Sequence, residues 1–209
     1  MPSMKMRYLR VTSLAFIAGL FWTPLADAAV LTPSAPVVVL DDALISVMKS
    51  GSAKETFQAR YQQLAPAIEQ AYNLPLVTQN SVGFLWSTLP ADQQKELIDL
   101  FTQFTISSYV SQFDGYSGQQ LTLLPETKAL GDQQQIVLTK LSTGNGNSVQ
   151  IDYVMGKDGE MWKINDVLLN GTISQVAVHA SDFASLVKSG DASKLILALK
   201  AKIKTLQSS

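Results

Sequence analysis

The fold class follows from the segment NGNSVQIDYVMGKDGEMWKINDVLL, residues 145–169. Apolar and polar side chains alternate along it, which is the period of a β-strand with one buried face. Asn145-Gly146 and Asp158-Gly159 are typical of tight hairpins, because both central positions of a type I′ turn require a positive φ. Asp166 is predicted to share the buried face of this hairpin. The apolar residues predicted for that face are Val149, Ile151, Tyr153, Met155, Trp162, Ile164 and Leu168.

Turns at these spacings predict an antiparallel meander with strands at about 133–141, 148–155 and 160–169, and an edge strand at 121–124. Helical periodicity fills the flanking regions, from residue 41 to about 112 and again over 175–189 and 192–206. Helices grouped before and after a block of strands are typical of α+β folds, in which helices pack on one face of an antiparallel sheet. We therefore predict one α+β domain over residues 41–209, with an extended lead-in over 29–40.

The first 28 residues have the pattern of a secretory signal peptide. Three basic residues between positions 5 and 10 precede an uncharged, mostly apolar run over 11–22, and Ala26-Asp27-Ala28 provides a small-x-small cleavage site. The apolar run has 12 residues, whereas a membrane-spanning helix needs about 20. We expect cleavage before Ala29, which leaves an exported, soluble chain.

Charge and cysteine content exclude several classes of function. Without the signal peptide the chain keeps 13 basic and 16 acidic residues, a mildly acidic balance that argues against a nucleic-acid partner. It has no cysteine. A disulfide framework, a thiol redox site and a lipoprotein-type cysteine anchor are therefore all excluded.

Signals for catalysis are weak. His179 is the only histidine, so a clustered zinc site of the usual kind is not expected, and we interpret His179 as a surface or partly buried structural residue. No nucleophile-elbow or phosphate-binding glycine motif is present. Asp166 has two interpretations, a general base in an apolar pocket or a buried acid that caps a neighbouring helix or turn, and capping is favoured.

Four lysines make the last predicted helix basic, at positions 194, 200, 202 and 204. A solvated polar face is the favoured interpretation of this pattern. The alternative is a surface that docks to anionic headgroups or to an acidic partner.

Five short segments, in order along the chain, resemble the MlaC family of periplasmic lipid-binding proteins. They are FQARYQQLAPAI (57–68), GFLW (83–86), LPADQQ (89–94), WKINDV (162–167) and GTIS (171–174). Within that family, the chain resembles the HpnM-like branch, which is associated with hopanoids. The chain departs from the family pattern in two places: Ala180 stands where an arginine is common, and Tyr72-Asn73 replaces a usual phenylalanine-aspartate pair.

The resemblance implies a soluble periplasmic carrier with a nuclear transport factor 2-like cone, in which helices wrap a curved antiparallel sheet around an apolar cavity. Its cargo would be phospholipid or a hopanoid-type lipid, bound without a cofactor or a metal. Its transient partners would be an inner-membrane ABC lipid transporter and an outer-membrane complex. The residues that would line the lipid cavity are Phe101, Phe104, Tyr109, Phe113, Val149, Ile151, Tyr153, Trp162, Ile164 and Leu168.

From alternation and helical spacing alone, these ten residues would instead form an ordinary packed core. Two further functions stay open at this point. One is a periplasmic enzyme of the same cone shape that uses Asp166 as a general base. The other is a non-catalytic adaptor that bridges envelope complexes.

Overall fold

The computed structural model describes residues 32–144 and 146–208. Within them, helices precede and follow a five-stranded antiparallel sheet, which confirms the α+β prediction. The elements in chain order are α1 (Ala35–Ser52), α2 (Phe57–Ala71), α3 (Leu74–Val82), a 3₁₀ helix (Gly83–Thr88), α4 (Ala91–Gln112), β1 (Gln120–Ala129), β2 (Gln134–Ser142), β3 (Ser148–Asp158), β4 (Met161–Leu169), β5 (Ile173–Ser174), α5 (Gln175–Phe183) and α6 (Ser193–Gln207).

The first helix begins earlier than the sequence predicted. We expected an extended lead-in over 29–40, but α1 already starts at Ala35, so the prediction is wrong for residues 35–40. Pro36 lies in the first turn of the helix. Backbone N–H groups in that turn have no intrahelical acceptor, so a proline there costs no hydrogen bond. Burial of Val37 and Leu40 anchors that turn to the core. Residues 29–31 and the predicted signal peptide lie outside the described residues.

The sheet is a simple meander, because each strand pairs with its neighbour in sequence from β1 to β5. Ser142 pairs with Ser148 across the β2–β3 hairpin, and Asp158 pairs with Met161 across the β3–β4 hairpin. Gly159, with φ +60°, is therefore the first central residue of the second turn. The hairpin was predicted correctly, with its centre one residue further along the chain.

A β-bulge in β4 changes which side chains face inward. Met155 of β3 pairs with Ile164, whereas Val154 pairs with Asp166, so Asn165 is an extra residue in β4. Beyond the bulge, Val167 pairs with Tyr153, which places Val167 on the inner face. The prediction that Ile164, Asp166 and Leu168 follow one alternation is therefore wrong.

The helices cover the inner face of the sheet and supply most of the core. Helix α1 packs on α2, and α4 packs against both α2 and α6. The largest fully buried side chains come from both layers: Leu40, Leu44, Met48, Leu64, Ile68, Leu97, Phe101, Ile106, Tyr153, Met155, Ile164 and Leu195. Among the described helices, none combines the length and the hydropathy that a bilayer-spanning segment requires.

Candidate functional site

An apolar cavity of about 320 Å³ lies between α4 and the inner face of the sheet. Helix α5 contributes Gln175, Val176 and His179 to its wall, and Tyr72 and Val77 come from the α2–α3 region. The volume is at the lower end of the range for small-molecule sites, about 300 to 1,000 Å³. The fold therefore leaves an open space where a packed core would have continuous contacts.

The α4 wall follows from helical spacing. Positions 101, 104, 105, 108, 109 and 112 recur every three or four residues and so share one face of the helix. All six line the cavity, together with Phe113 at the end of the helix. Four residues predicted as lipid-binding therefore lie together on this wall: Phe101, Phe104 and Tyr109 of α4, and Phe113 directly after it.

The β3 wall contains three predicted residues and shows where the cavity opens. Val149, Ile151 and Tyr153 all line it, with exposed fractions of 42%, 8% and 1%. The open end therefore lies near Val149 and the buried floor near Tyr153. At the open end, Gln112 of α4 is also exposed.

Three predicted site residues lie elsewhere. Ile164 is fully buried in the core and bridges to the backbone of Tyr72. Trp162 borders a second depression beside the start of α1, with the Lys157 ammonium 5.6 Å from its ring centre. Leu168 pairs with Asp152 on the opposite face of the sheet from Tyr153. The bulge at Asn165 accounts for Leu168 alone, whose place on the inner face is taken by Val167 and Leu169, which line the cavity. Trp162 and Ile164 precede the bulge.

Asp166 borders the cavity, and its carboxylate is occupied by capping interactions. The backbone N–H groups of Val167 and Val176 donate to Oδ1 at 2.8 and 3.0 Å, and the Ser174 hydroxyl donates to Oδ2 at 2.5 Å. Since Ser174 is itself the N-cap of α5, Asp166 ties the start of α5 to β4. These contacts confirm the capping interpretation of Asp166.

His179 lies in an aromatic group at the cavity wall, which sequence reasoning missed. Its ring stacks on Phe183 at 5.6 Å between centroids and meets the edges of Phe101 and Phe104 at 5.4 and 5.7 Å. Burial lowers the pKa of His179, and the carboxylates of Asp182 and Asp166 oppose that effect. The four-residue spacing of 175, 179 and 183 could have indicated one inward face of α5. Within the described residues, no group of three acidic or histidine side chains could hold a metal ion.

Polar side chains gather at the floor of the cavity. The hydroxyl groups of Tyr72 and Tyr109 form a short hydrogen bond, and the Tyr153 hydroxyl donates to Asp41 Oδ1 at 3.4 Å. Burial is the largest cause that raises the pKa of Asp41 to about 7 and that of Tyr109 to about 12. Helical periodicity was recognised only from residue 41, but α1 begins six residues earlier, and Asp41 lies buried within the helix.

Known proteins share this sequence pattern and this architecture. The model of the MlaC protein family matches residues 39–201. A phospholipid-binding protein from Ralstonia solanacearum, solved in complex with a phospholipid, is similar in structure, with a TM-score of 0.71 and 23% sequence identity. The similarity covers 83% of this chain and 98% of the other. No curated protein matches the chain significantly in sequence.

Proposed function

The chain belongs to the MlaC family, and from this premise we propose that it is a periplasmic carrier whose cavity holds the apolar part of a lipid. The observation that carries the proposal is the space itself. Aromatic and aliphatic side chains from α4, β3 and β4 line an open cavity of about 320 Å³, which is within the range of small-molecule sites.

The energetics of lipid transfer support such a space. Each methylene exposed to water costs about 0.8 kcal/mol, so a chain of ordinary length costs roughly 10 kcal/mol or more. A carrier that crosses an aqueous compartment must therefore enclose the chain and release it at the destination. The gradient of exposure from Val149 to Tyr153 suits a lipid with its tail at the floor and its headgroup at the open end.

Phospholipid is the cargo class best supported. The Ralstonia protein of the same fold was solved with a phospholipid, and the cavity offers apolar walls with few charges. The HpnM-like resemblance adds hopanoid-type lipids as a second candidate class. Exchange would be passive and without a cofactor, and the shape of the cavity would set specificity.

The transport role includes transient contacts with an inner-membrane ABC lipid transporter and an outer-membrane complex. Helix α6 offers one surface for such contacts. It buries Leu195, Leu199 and Ile203 and leaves its lysines in solvent, where Lys200 pairs with Glu96 at 2.6 Å. Lys194, Lys202 and Lys204, all exposed, could meet anionic headgroups or an acidic partner.

Substitution of Asp166 by asparagine separates the carrier from the alternative of a periplasmic enzyme. In Asp166→Asn the amide oxygen would still accept the two backbone N–H bonds, but the acceptor for the Ser174 hydroxyl would be lost. We expect a loss of about 1–3 kcal/mol of unfolding free energy, with an unchanged amount of bound lipid. Chemical denaturation and lipid extraction measure the two quantities.

Ser174→Ala provides the matched control, because it removes the partner of the same hydrogen bond and leaves the carboxylate in place. A carrier predicts similar lipid content in both variants. If Asp166→Asn stayed folded but abolished a turnover that Ser174→Ala kept, Asp166 would be a catalytic base and the carrier proposal would fail.

A further inference from the structure

The polar floor of the cavity has more hydrogen-bond donors than it uses. Of the two hydroxyl protons of Tyr72 and Tyr109, one forms the bond between the two oxygens. Among the described residues no hydrogen bond accepts the other proton. The Tyr153 proton is directed to Asp41. A donor that faces an apolar cavity without an acceptor costs free energy, so the floor favours a ligand that brings an oxygen.

The depth of these hydroxyl groups determines which part of a lipid they can meet. Val149 and Tyr153 both line the cavity and lie four residues apart on β3, a span of about 13 Å along a strand. Val149 marks the open end and Tyr153, only 1% exposed, the floor. A headgroup held beside Val149 therefore lies too far along β3 to reach Tyr153, whereas the far part of the apolar body can reach it.

We propose that Tyr72, Tyr109 and Tyr153 form a second polar subsite that binds a hydroxyl group carried on the apolar body of the lipid. This inference rests on the proposed carrier function, and it specifies that lipids with a hydroxyl group on the apolar body are among the cargo. A ligand hydroxyl accepts the spare tyrosine proton, and it donates its own proton to a tyrosine oxygen. Asp41, whose pKa of about 7 keeps much of it protonated near neutrality, does not oppose this arrangement with a full charge.

A matched pair of fatty acids tests the subsite. Dodecanoic acid and ω-hydroxydodecanoic acid differ only in the terminal hydroxyl, and both have a carboxylate that stays at the open end. In a cavity with an apolar floor, the hydroxylated acid should bind about ten times more weakly, because its hydroxyl is buried without a partner. In the wild-type protein we expect equal or tighter binding of the hydroxylated acid, measured by calorimetric titration.

The double variant Tyr72→Phe with Tyr109→Phe keeps both rings and removes both hydroxyl groups. We expect it to bind dodecanoic acid as the wild type does and to bind the hydroxylated acid about tenfold more weakly. Tyr61→Phe is the control, since Tyr61 of α2 does not line the cavity, and it should leave both affinities unchanged.

The outcomes distinguish this inference from the carrier function. If the wild type binds dodecanoic acid and rejects the hydroxylated acid as strongly as the double variant does, the subsite is overturned and the carrier function stands. If the wild type binds neither acid but takes up phospholipid from vesicles, the subsite is again overturned and the carrier function stands. If it takes up no phospholipid either, the carrier function itself fails, and the subsite fails with it.

Discussion

Replacement of Ser108 by tryptophan is expected to reduce the lipid bound per chain to about a tenth of the wild-type amount. Ser108 is a half-buried residue of α4 that lines the cavity between the α4 aromatics and the sheet. An indole at this position would occupy space that we assign to the acyl chain. Because it extends into a space and not into packed side chains, overpacking should be small. Lipid extraction and thermal unfolding of the purified variant measure both effects.

Gln103→Trp is the matched control, because Gln103 lies on the same helix, is exposed and does not line the cavity. It introduces the same residue into α4, at a small additional cost in helix propensity because glutamine is a better helix former than serine. We expect wild-type lipid content in this variant. Equal lipid content in the two tryptophan variants would show that the cavity is not the lipid site.

The second large effect concerns pH and the buried Asp41. Its pKa is raised from 3.8 to about 7 in the folded protein, chiefly by burial. Between about pH 4 and 7 the folded chain therefore binds a proton that the unfolded chain has lost, so this group lowers the free energy of unfolding as the pH rises. The shift corresponds to at most about 4 kcal/mol, fully developed above pH 7.

Asp41→Asn should remove this pH dependence while an amide oxygen still accepts from Tyr153. We expect the variant to gain stability relative to the wild type from pH 4 to pH 8, by a few kcal/mol at most. Urea unfolding at several pH values measures the difference. Asp42→Asn is the control, since the Asp42 carboxylate is exposed. It removes only the smallest of the causes that act on the pKa of Asp41, so the pH dependence of unfolding should persist in this variant. A constant difference between Asp41→Asn and wild type at all pH values would contradict the burial of an ionisable carboxyl.

Much of the fold could be predicted from local sequence patterns. Strict alternation and hairpin dipeptides indicated β2, β3 and β4 to within three residues of their observed ends. The bulge at Asn165 could not be predicted, because Val167 and Leu169 are as apolar as Leu168 and either register satisfies the pattern. The start of α1 was missed because Pro33 and Pro36 favoured an extended lead-in, although the first turn of a helix accepts a proline such as Pro36.

The cavity was harder to predict than the elements around it. Phe101, Tyr109 and Ile151 would show the same spacing in a solid core, so only the family resemblance indicated a cavity. Its polar floor depends on contacts between residues far apart in sequence, such as the 112 positions that separate Asp41 from Tyr153. The periodicity of neighbouring residues in the sequence does not reveal such long-range contacts.

Native mass spectrometry of the protein purified from the periplasm, followed by lipid extraction, tests whether the chain carries a lipid. We expect a mass increase equal to about one lipid per chain, with the extract identifying phospholipid or a hydroxylated, hopanoid-type lipid. A ligand-free mass that stays unchanged after incubation with phospholipid vesicles would contradict the carrier function, and would favour an adaptor that bridges envelope complexes without cargo.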